Sequence, residues 1–331
     1  MTSKIAFLVE GSLEMGMGHI YKSITLAEEL QDKGEICFLT RSAQIAVNQI
    51  ENSGFRALKL KNDDEVARCL EEIKPDVVII DRLEVEEFFA KKLKNDLNTR
   101  LVIFDNLSAA NKHADVVINA GVGSNFENKR FIDKNTNTLY YYGPKYLVLR
   151  KEFYEFKAKG KRLNDKIRRI LLIFGGSDPS NLTSKVLDEL LTWHKELKTD
   201  VILGSGFVYS DELNRVLKKH QSQKGNAKVY QNIKNVAELM HKADLVIASP
   251  GLSMFEAFCV GTPVIAISQT QFHKNLFDKF FPTLHEDEIG KLKDIISAGD
   301  FLKPDTEYIK NLDMGEGKAE IVKEIRGCLE M

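Results

Sequence analysis

The chain has 331 residues, 29% of them charged, and its formal net charge at pH 7 is −1. This length suits two domains of ordinary size better than one compact core. The balanced charge gives no global basic field of the kind that marks nucleic-acid-binding proteins, so we expect no nucleic-acid partner. A soluble protein that acts on a small molecule is the default interpretation.

Cysteines, histidines and apolar runs exclude further classes. The seven histidines show no metal-ligand spacing, so we expect no metal and no cofactor. No apolar run reaches the roughly 20 residues of a membrane span, and the run Ile5 to Val9 is too short for a signal peptide. We therefore expect a cytoplasmic protein without stable membrane insertion, as a monomer or weak dimer. Four scattered cysteines without a Cys-x-x-Cys pair fit a reducing compartment: Cys37, Cys69, Cys259 and Cys328.

The most informative segment follows the first apolar run. Gly16 and Gly18 precede His19 and Lys22, and an amphipathic pattern comes next, which predicts a strand, a glycine turn and a helix. His19 then lies at a helix N-terminus, where backbone N–H groups and partial positive charge favour an anionic or polarised ligand. Histidine is a suitable general base near neutral pH. The alternative interpretation is a turn that only connects strand to helix.

Short apolar runs then alternate with helical patterns, which predicts βαβ units in a parallel sheet. Polar residues end two of these runs, Asp81 with Arg82 and Asp105 with Asn106. Ligands of open parallel sheets bind beyond the carboxyl ends of the strands, so all four are candidates to line a cleft. The alternative, favoured for Arg82, is a role in the loop or in helix capping. The runs are 36–39, 57–60, 77–80 and 101–104.

Basic residues dominate the stretch from Lys151 to Arg169, and the pattern restarts after it. We interpret 156–165 as a linker between a domain 1–155 and a domain 166–331 that ends in a helix. In the second half, a strand at 170–174 leads into a glycine turn and a helix. Further strands are predicted at 200–203, 228–230, 245–248 and 263–267.

Another strand, turn and helix occur near the middle of the second half. Ser249, Gly251 and Ser253 supply small donors and backbone N–H groups at a helix start, which suits a diphosphate, and Glu256 follows one turn later, near enough for ribose hydroxyls. The alternative makes Ser249 a cap and Glu256 its capping-box partner. Because the turn 175–177 adds a second phosphate-friendly loop, the nucleotide interpretation is favoured.

Two common nucleotide motifs are missing. A dinucleotide fingerprint requires a third glycine and an acidic residue after the second strand, where this chain has Tyr21 and Thr40. No Gly-x-x-x-x-Gly-Lys-Ser/Thr run occurs. An NAD site and a P-loop are therefore both disfavoured.

These motifs occur in the order seen in the GT-B superfamily. The chain resembles the UDP-2,4-diacetamido-2,4,6-trideoxy-β-L-altropyranose hydrolase of pseudaminic acid biosynthesis and its spore-coat polysaccharide relatives. The segments that carry the resemblance are Gly16 to His19, Ile79 to Asp81, Tyr142 to Phe153, Phe174 to Asn181, Ser249 to Glu256 and Gln271 to Asn275.

The resemblance implies an α/β protein with the GT-B fold, two doubly wound Rossmann-like domains facing a central cleft. It implies hydrolysis of a UDP-linked amino sugar, with the sugar and the base His19 in the first domain and the nucleotide in the second. The family commonly carries an arginine, an aspartate and an arginine where this chain has Leu8, Glu10 and Lys22.

The resemblance also assigns residues to two binding sets. The implied substrate-binding residues are Gly16, Gly18, Lys22, Asp81, Asn106 and Asn275. The implied nucleotide-binding residues are Gly175, Gly176, Ser177, Asn181, Ser249, Gly251, Leu252, Ser253 and Glu256.

Three alternatives remain at this point. An inverting GT-B glycosyltransferase would use the same parts, with His19 deprotonating an acceptor hydroxyl instead of water. A UDP-sugar 2-epimerase would leave the UDP attached to its product, and a non-catalytic subunit would only bind the nucleotide sugar. UDP and CMP are not distinguished by these motifs.

Overall fold

The computed structural model describes residues 2–12, 16–82, 84–121, 127–164, 166–194, 196–221, 226–278, 281–299 and 312–330. The chain forms two compact units, the first made of Met1–Arg150 with Glu307–Met331 and the second of Lys151–Thr306. These units differ from the predicted domains. The division falls before the predicted linker, and the C-terminal helix belongs to the first unit.

The described strands are β1 Ser3–Val9, β2 Gly34–Thr40, β3 Arg56–Lys59, β4 Val77–Asp81, β5 Arg100–Phe104, β6 Val116–Asn119, β7 Lys129–Ile132, β8 Leu139–Tyr142, β9 Arg169–Ile173, β10 Lys198–Leu203, β11 Ala227–Gln231, β12 Leu245–Ala248, β13 Val264–Ser268 and β14 Thr283–His285. The described α-helices are α1 Gly18–Leu30, α2 Gln44–Asn52, α3 Asp63–Ile73, α4 Glu87–Asp96, α5 Lys151–Lys159, α6 Leu182–Trp193, α7 Ser210–Lys219, α8 Val236–Lys242, α9 Leu252–Cys259, α10 Gln271–Phe277, α11 Leu292–Ala298 and α12 Lys318–Leu329. Short 3₁₀ helices lie at Ala109–His113, Pro144–Tyr146 and Glu286–Lys291.

The first unit is built on a sheet in the order β3-β2-β1-β4-β5-β6-β8-β7. Neighbouring strands are parallel, except that β7 runs antiparallel to β8 at one edge. The residues of β4 are buried throughout, as the uninterrupted apolar run predicts for a strand covered on both faces. The order reverses between β1 and β4, and such switch points are the usual ligand sites of open α/β sheets.

The second unit repeats this plan in the order β11-β10-β9-β12-β13-β14, and its described strand pairs are parallel. Its switch point lies between β9 and β12. All the strands predicted in this half are present, with ends that differ by a few residues. None of the described helices is long and apolar enough to cross a membrane.

After the second unit, the chain returns to the first unit, and the residue before α12 packs closely against the backbone there. The N–H of Gly317 donates to the carbonyl of Lys145 over 2.8 Å. A Cβ atom at position 317 would lie 2.6 Å from Cδ1 of Tyr146. Next along the chain, Lys318 forms an ion pair of 2.6 Å with Glu29 of α1. Only glycine fits this approach without displacing the Tyr146 ring.

We expect Gly317→Ala to lower the free energy of unfolding by about 1–3 kcal/mol, because the added methyl overpacks the contact with Tyr146. Thermal and urea unfolding measure the effect. Gly327→Ala is the matched control, since a Cβ at this position of α12 meets nothing within 4 Å and alanine favours the helix by up to about 1 kcal/mol. Equal behaviour of the two variants would contradict the proposed close approach.

Candidate active site

His19 is placed by the turn that follows β1. Gly16 has a φ of +87°, a conformation that favours glycine. Gly18 is the first residue of α1, and His19 is the second. Since β1 and β4 are neighbours with Val9 paired to Asp81, the start of α1 lies beside the carboxyl end of β4. His19 Nδ1 is 2.7 Å from Asp81 Oδ1, so two residues predicted for the site meet there.

Asp81 is 1% exposed and is held by three side chains. Besides His19, the hydroxyl of Ser23 donates to its Oδ2 over 2.9 Å, and Lys22 Nζ lies 3.0 Å from its Oδ1. Burial alone would raise the pKa of Asp81, but the charges and hydrogen bonds of Lys22 and His19 lower it to about 2. The carboxylate is therefore ionised at neutral pH.

The state of Asp81 determines what His19 is able to do. An ionised carboxylate only accepts hydrogen bonds, so the neutral imidazole places its proton on Nδ1, facing Asp81. Nε2 then carries the lone pair and is the basic atom. The side chain of His19 is 18% exposed, which leaves it accessible. The contact with Asp81 therefore fixes both the tautomer and the orientation of the imidazole.

Lys22 was predicted to bind substrate, but it lies buried between two carboxylates. Its ammonium contacts Asp81 and also forms a short ion pair with Asp105. Burial alone would lower the pKa of Lys22, but Asp105 and Asp81 raise it above its ordinary value, so Lys22 stays charged. Asp105 in turn accepts the N–H groups of Ala120 (3.0 Å) and Gly121 (3.3 Å). Lys22 thus acts on Asp81 and is not presented to solvent.

Asn106 also has a different role from the one predicted. It is buried, and its amide donates to Ser108 Oγ over 2.9 Å and to Asn111 Oδ1 over 2.8 Å. Its backbone carbonyl accepts from Asn111 and Asn119. These bonds stabilise the loop after β5. Both N–H donors of the Asn106 amide are used within this loop.

The other residues considered in this half take part in different contacts. Arg82 forms a bidentate ion pair with Asp63, at 2.8 and 3.1 Å, in agreement with the structural role favoured for it. Glu10 pairs with Arg41 at 2.6 Å. Leu8 is buried in the core of the sheet.

In the second unit, the two predicted phosphate turns flank the switch point. Gly175 follows β9 with a φ of +78°, and Ser249 follows β12, the neighbour of β9. A Cβ placed on Gly175 would be 3.8 Å from Ser249 Oγ, so the two turns are adjacent. Sequence reasoning missed Gly204, where a Cβ would lie 2.2 Å from the carbonyl oxygen of Gly176. The Gly-Ser-Gly run after β10 was the available signal.

The turn 175–177 leads into α6 through an unusual cap. Asn181 precedes the helix with a φ of +51°, and its Oδ1 is buried without a hydrogen-bond partner among the described residues. Asp178, which precedes Asn181 in the chain, caps the helix instead. Its carboxylate accepts the N–H groups of Leu182 (2.7 Å) and Thr183 (2.8 Å). Burial, the largest influence, raises the pKa of Asp178. This cap fixes the end of the loop that holds Gly176 and Ser177.

The second turn leaves the start of α9 without a side-chain cap. Gly251 is the N-cap, with a φ of +149°, and Leu252 and Ser253 begin the helix. The alternative capping role for Ser249 is therefore not met. Glu256 is buried one turn into α9. Uncapped N–H groups at a helix start are suitable donors for phosphate oxygens.

Asn275 lies on a third element of the second unit. It is exposed on α10, which follows β13, and its Oδ1 accepts from Gln271 Nε2 over 2.7 Å. Nearby, burial lowers the pKa of His273. Among the described residues, no group of three or more His, Cys, Asp or Glu side chains is arranged to hold a metal ion.

Comparison with known proteins identifies the fold. Residues 170–279 match the glycosyltransferase family 28 C-terminal domain. The whole chain superposes on MurG of Acinetobacter baumannii with a TM-score of 0.62 at 13% identity, covering 99% of both chains. Anabaena HepE, solved with UDP and glucose, gives a TM-score of 0.56 at 14% identity over 99% of both chains. The chain has the two-domain, Rossmann-like GT-B fold, as the sequence predicted.

Its homologues include three curated proteins. The uncharacterized protein MJ1062 of Methanocaldococcus jannaschii is 43% identical over 97% of this chain, which spans 66% of that protein's length. The spore coat polysaccharide biosynthesis protein SpsG of Bacillus subtilis is 28% identical over 84% of the chain and 80% of SpsG. The UDP-2,4-diacetamido-2,4,6-trideoxy-β-L-altropyranose hydrolase of Campylobacter jejuni is 23% identical over 77% of the chain and 87% of the hydrolase.

Proposed function

We propose that the protein hydrolyses a UDP-linked amino sugar at its anomeric carbon and releases UDP and free sugar for the biosynthesis of a surface glycan of the nonulosonic acid type. The observation that carries the proposal is the 2.7 Å pair of His19 and ionised Asp81, which leaves Nε2 as an accessible base. Similarity to a nucleotide-sugar hydrolase and to a spore-coat polysaccharide protein supports the substrate class.

In the proposed reaction, His19 Nε2 takes a proton from a water molecule as its oxygen bonds to C1 of the sugar. The bond between C1 and the diphosphate oxygen breaks with inversion, and UDP leaves as the anion. Asp81 stabilises the imidazolium that forms, and the buried charge of Lys22 keeps Asp81 ionised throughout. Water is the nucleophile, so the step requires no second sugar.

The second unit is proposed to hold the nucleotide. Backbone N–H groups at the turn 175–177 and at the uncapped start of α9 would bind the diphosphate and stabilise it as it leaves. Glu256, one turn into α9, is assigned to the ribose hydroxyls. Asn181 is assigned to the nucleotide as well, and Asn275 to the sugar.

An inverting glycosyltransferase is the second candidate, with His19 deprotonating an acceptor hydroxyl. The match of residues 170–279 to the glycosyltransferase family 28 C-terminal domain favours it. Water and a sugar hydroxyl present the same O–H group to Nε2. The two reactions therefore differ only in the nucleophile.

Incubation with a panel of UDP- and CMP-linked amino sugars, without any acceptor, tests the proposal. We expect one UDP-sugar to give UDP and free sugar in equal amounts over many turnovers, read by mass spectrometry. Consumption that requires an added glycan or lipid acceptor would establish the transferase instead. A product that retains UDP indicates an epimerase, and tight binding without any product indicates a binding subunit.

A further inference from the structure

A concave site lies in the first unit, outside the residues assigned to catalysis. It has a volume of about 370 Å³ and is formed by the loops that follow β1, β2 and β3. The His19–Asp81 pair instead lies at the switch point between β1 and β4. The cavity is therefore on the other side of β1. Its lining residues are Glu10, Gly11, Ser12, Arg41, Ser42, Ala43 and Lys61.

A network of charges fixes the wall of this cavity. Arg41 pairs with Glu10 at 2.6 Å and with Asp63 at 3.3 Å, and Arg82 pairs with the same two carboxylates. Arg82 is 1% exposed and packs 4.9 Å from the ring centre of Phe89, and its buried Nε has no hydrogen-bond partner among the described residues. Burying such a group is costly, and an apolar residue of similar size often stabilises a protein as well or better. The network contacts neither His19 nor Lys22, so the catalytic pair does not account for it.

The cavity also offers hydrogen-bond donors. Lys61 is exposed, and no carboxylate of the described residues lies within 4.0 Å of its ammonium. Ala43 is the N-cap of α2 and provides no side-chain cap, and within the described part of the chain no side chain accepts the first N–H groups of that helix. Ser42 accepts the N–H of Gly11 over 2.8 Å, which holds the loops after β1 and β2 together. The lining contains two positive side chains, Arg41 and Lys61, and one negative side chain, Glu10, so its net charge is +1.

We propose that this cavity binds a second small ligand, a monosaccharide that carries a carboxylate or a phosphate. Lys61 and the start of α2 would bind the anionic group, because both present donors and positive charge. Glu10 and the serine hydroxyls would bind the sugar hydroxyls, and the volume is in the range of small-molecule sites. The lining residues belong to the first unit and the proposed nucleotide turns to the second, so the inference does not depend on the proposed hydrolysis.

Binding of three probes to the full chain, by calorimetry with saturating UDP present, tests the inference. We expect glucuronate, glucose 6-phosphate or both to bind more tightly than neutral glucose, and the stronger of the two identifies a carboxylate or a phosphate ligand. Lys61→Gln is expected to weaken that binding about 10-fold or more, since hydrogen bonds to charged groups contribute about 1.5–3 kcal/mol. UDP affinity should not change.

Lys33→Gln is the matched control. Lys33 is an equally exposed lysine in the turn before β2, at the opposite end of that strand from the cavity. Three results would overturn the inference: no binding of either anion at millimolar concentration, binding of glucose as tight as that of the anions, or equal loss of affinity in the two lysine variants. Hydrolysis of a UDP-sugar is measured in a separate assay, so the proposed hydrolysis and the proposed second ligand site are tested independently.

Discussion

His19→Ala is expected to lower the turnover of a UDP-sugar by about 10² to 10⁴-fold, the usual contribution of a general base. This corresponds to about 3–5 kcal/mol of activation free energy. The imidazole touches the reacting water in the proposed step, while the nucleotide is assigned to residues of the other unit. The affinity for UDP should therefore stay nearly unchanged, which calorimetry is able to check beside the turnover assay.

His113→Ala is the control for that experiment. Its side chain is 20% exposed, close to the 18% of His19, and it lies 3.4 Å from the carboxylate of Glu87 in the same unit. Loss of an imidazole there should leave turnover within about 2-fold, as expected for a surface substitution. Normal turnover by His19→Ala, or an equal loss in both variants, would remove His19 from the mechanism.

Asp81→Asn is expected to have the largest effect on stability, a loss of about 3–5 kcal/mol, because it leaves the buried ammonium of Lys22 with one carboxylate fewer. Turnover should fall as well, since an amide does not hold the imidazole proton on Nδ1 as a carboxylate does. Urea unfolding gives the free energy. Asp76→Asn is the control: its exposed carboxylate accepts the N–H of Lys4 at the other end of β4.

The contribution of Asp81 also has a defined pH dependence. In the folded protein, its pKa is lowered from the ordinary 3.8 to about 2. A lowered pKa means that the ionised group stabilises the fold above its ordinary pKa and that this stabilisation is lost as the pH falls through the folded value. The difference in unfolding free energy between wild type and Asp81→Asn should therefore be constant near neutral pH and shrink from pH 3.8 towards 2. An unchanged difference across this range would contradict the ion pair.

Much of the fold could be predicted because parallel strands buried on both faces appear as uninterrupted apolar runs. The edge strand β7 was missed because it lacks such a run. All four residues of β7 are exposed, and two of them are Lys129 and Arg130, so the strand lacks the apolar signal.

The candidate site was predicted only in part. Sequence indicated that His19 and Asp81 lie near strand ends, but not that they touch. Lys22 and Ser23 follow His19 at i+3 and i+4, so all three lie on one face of α1. That spacing would have indicated a common partner for Lys22 and His19, instead of the substrate role predicted for Lys22. The assignment of the C-terminal helix to the second domain followed chain order, whereas its packing against the first unit depends on long-range contacts.

The first unit is formed by two separate parts of the chain, which has a consequence for the synthesis and folding of the protein. Met1–Arg150 is completed by Glu307–Met331, so the second unit is an insertion within the first. Proteins emerge from the ribosome N-terminus first, and domains generally fold as units. The segment Lys151–Thr306 is therefore translated in full before the helix Lys318–Leu329, and the unit that carries His19 is complete only after that helix has been made.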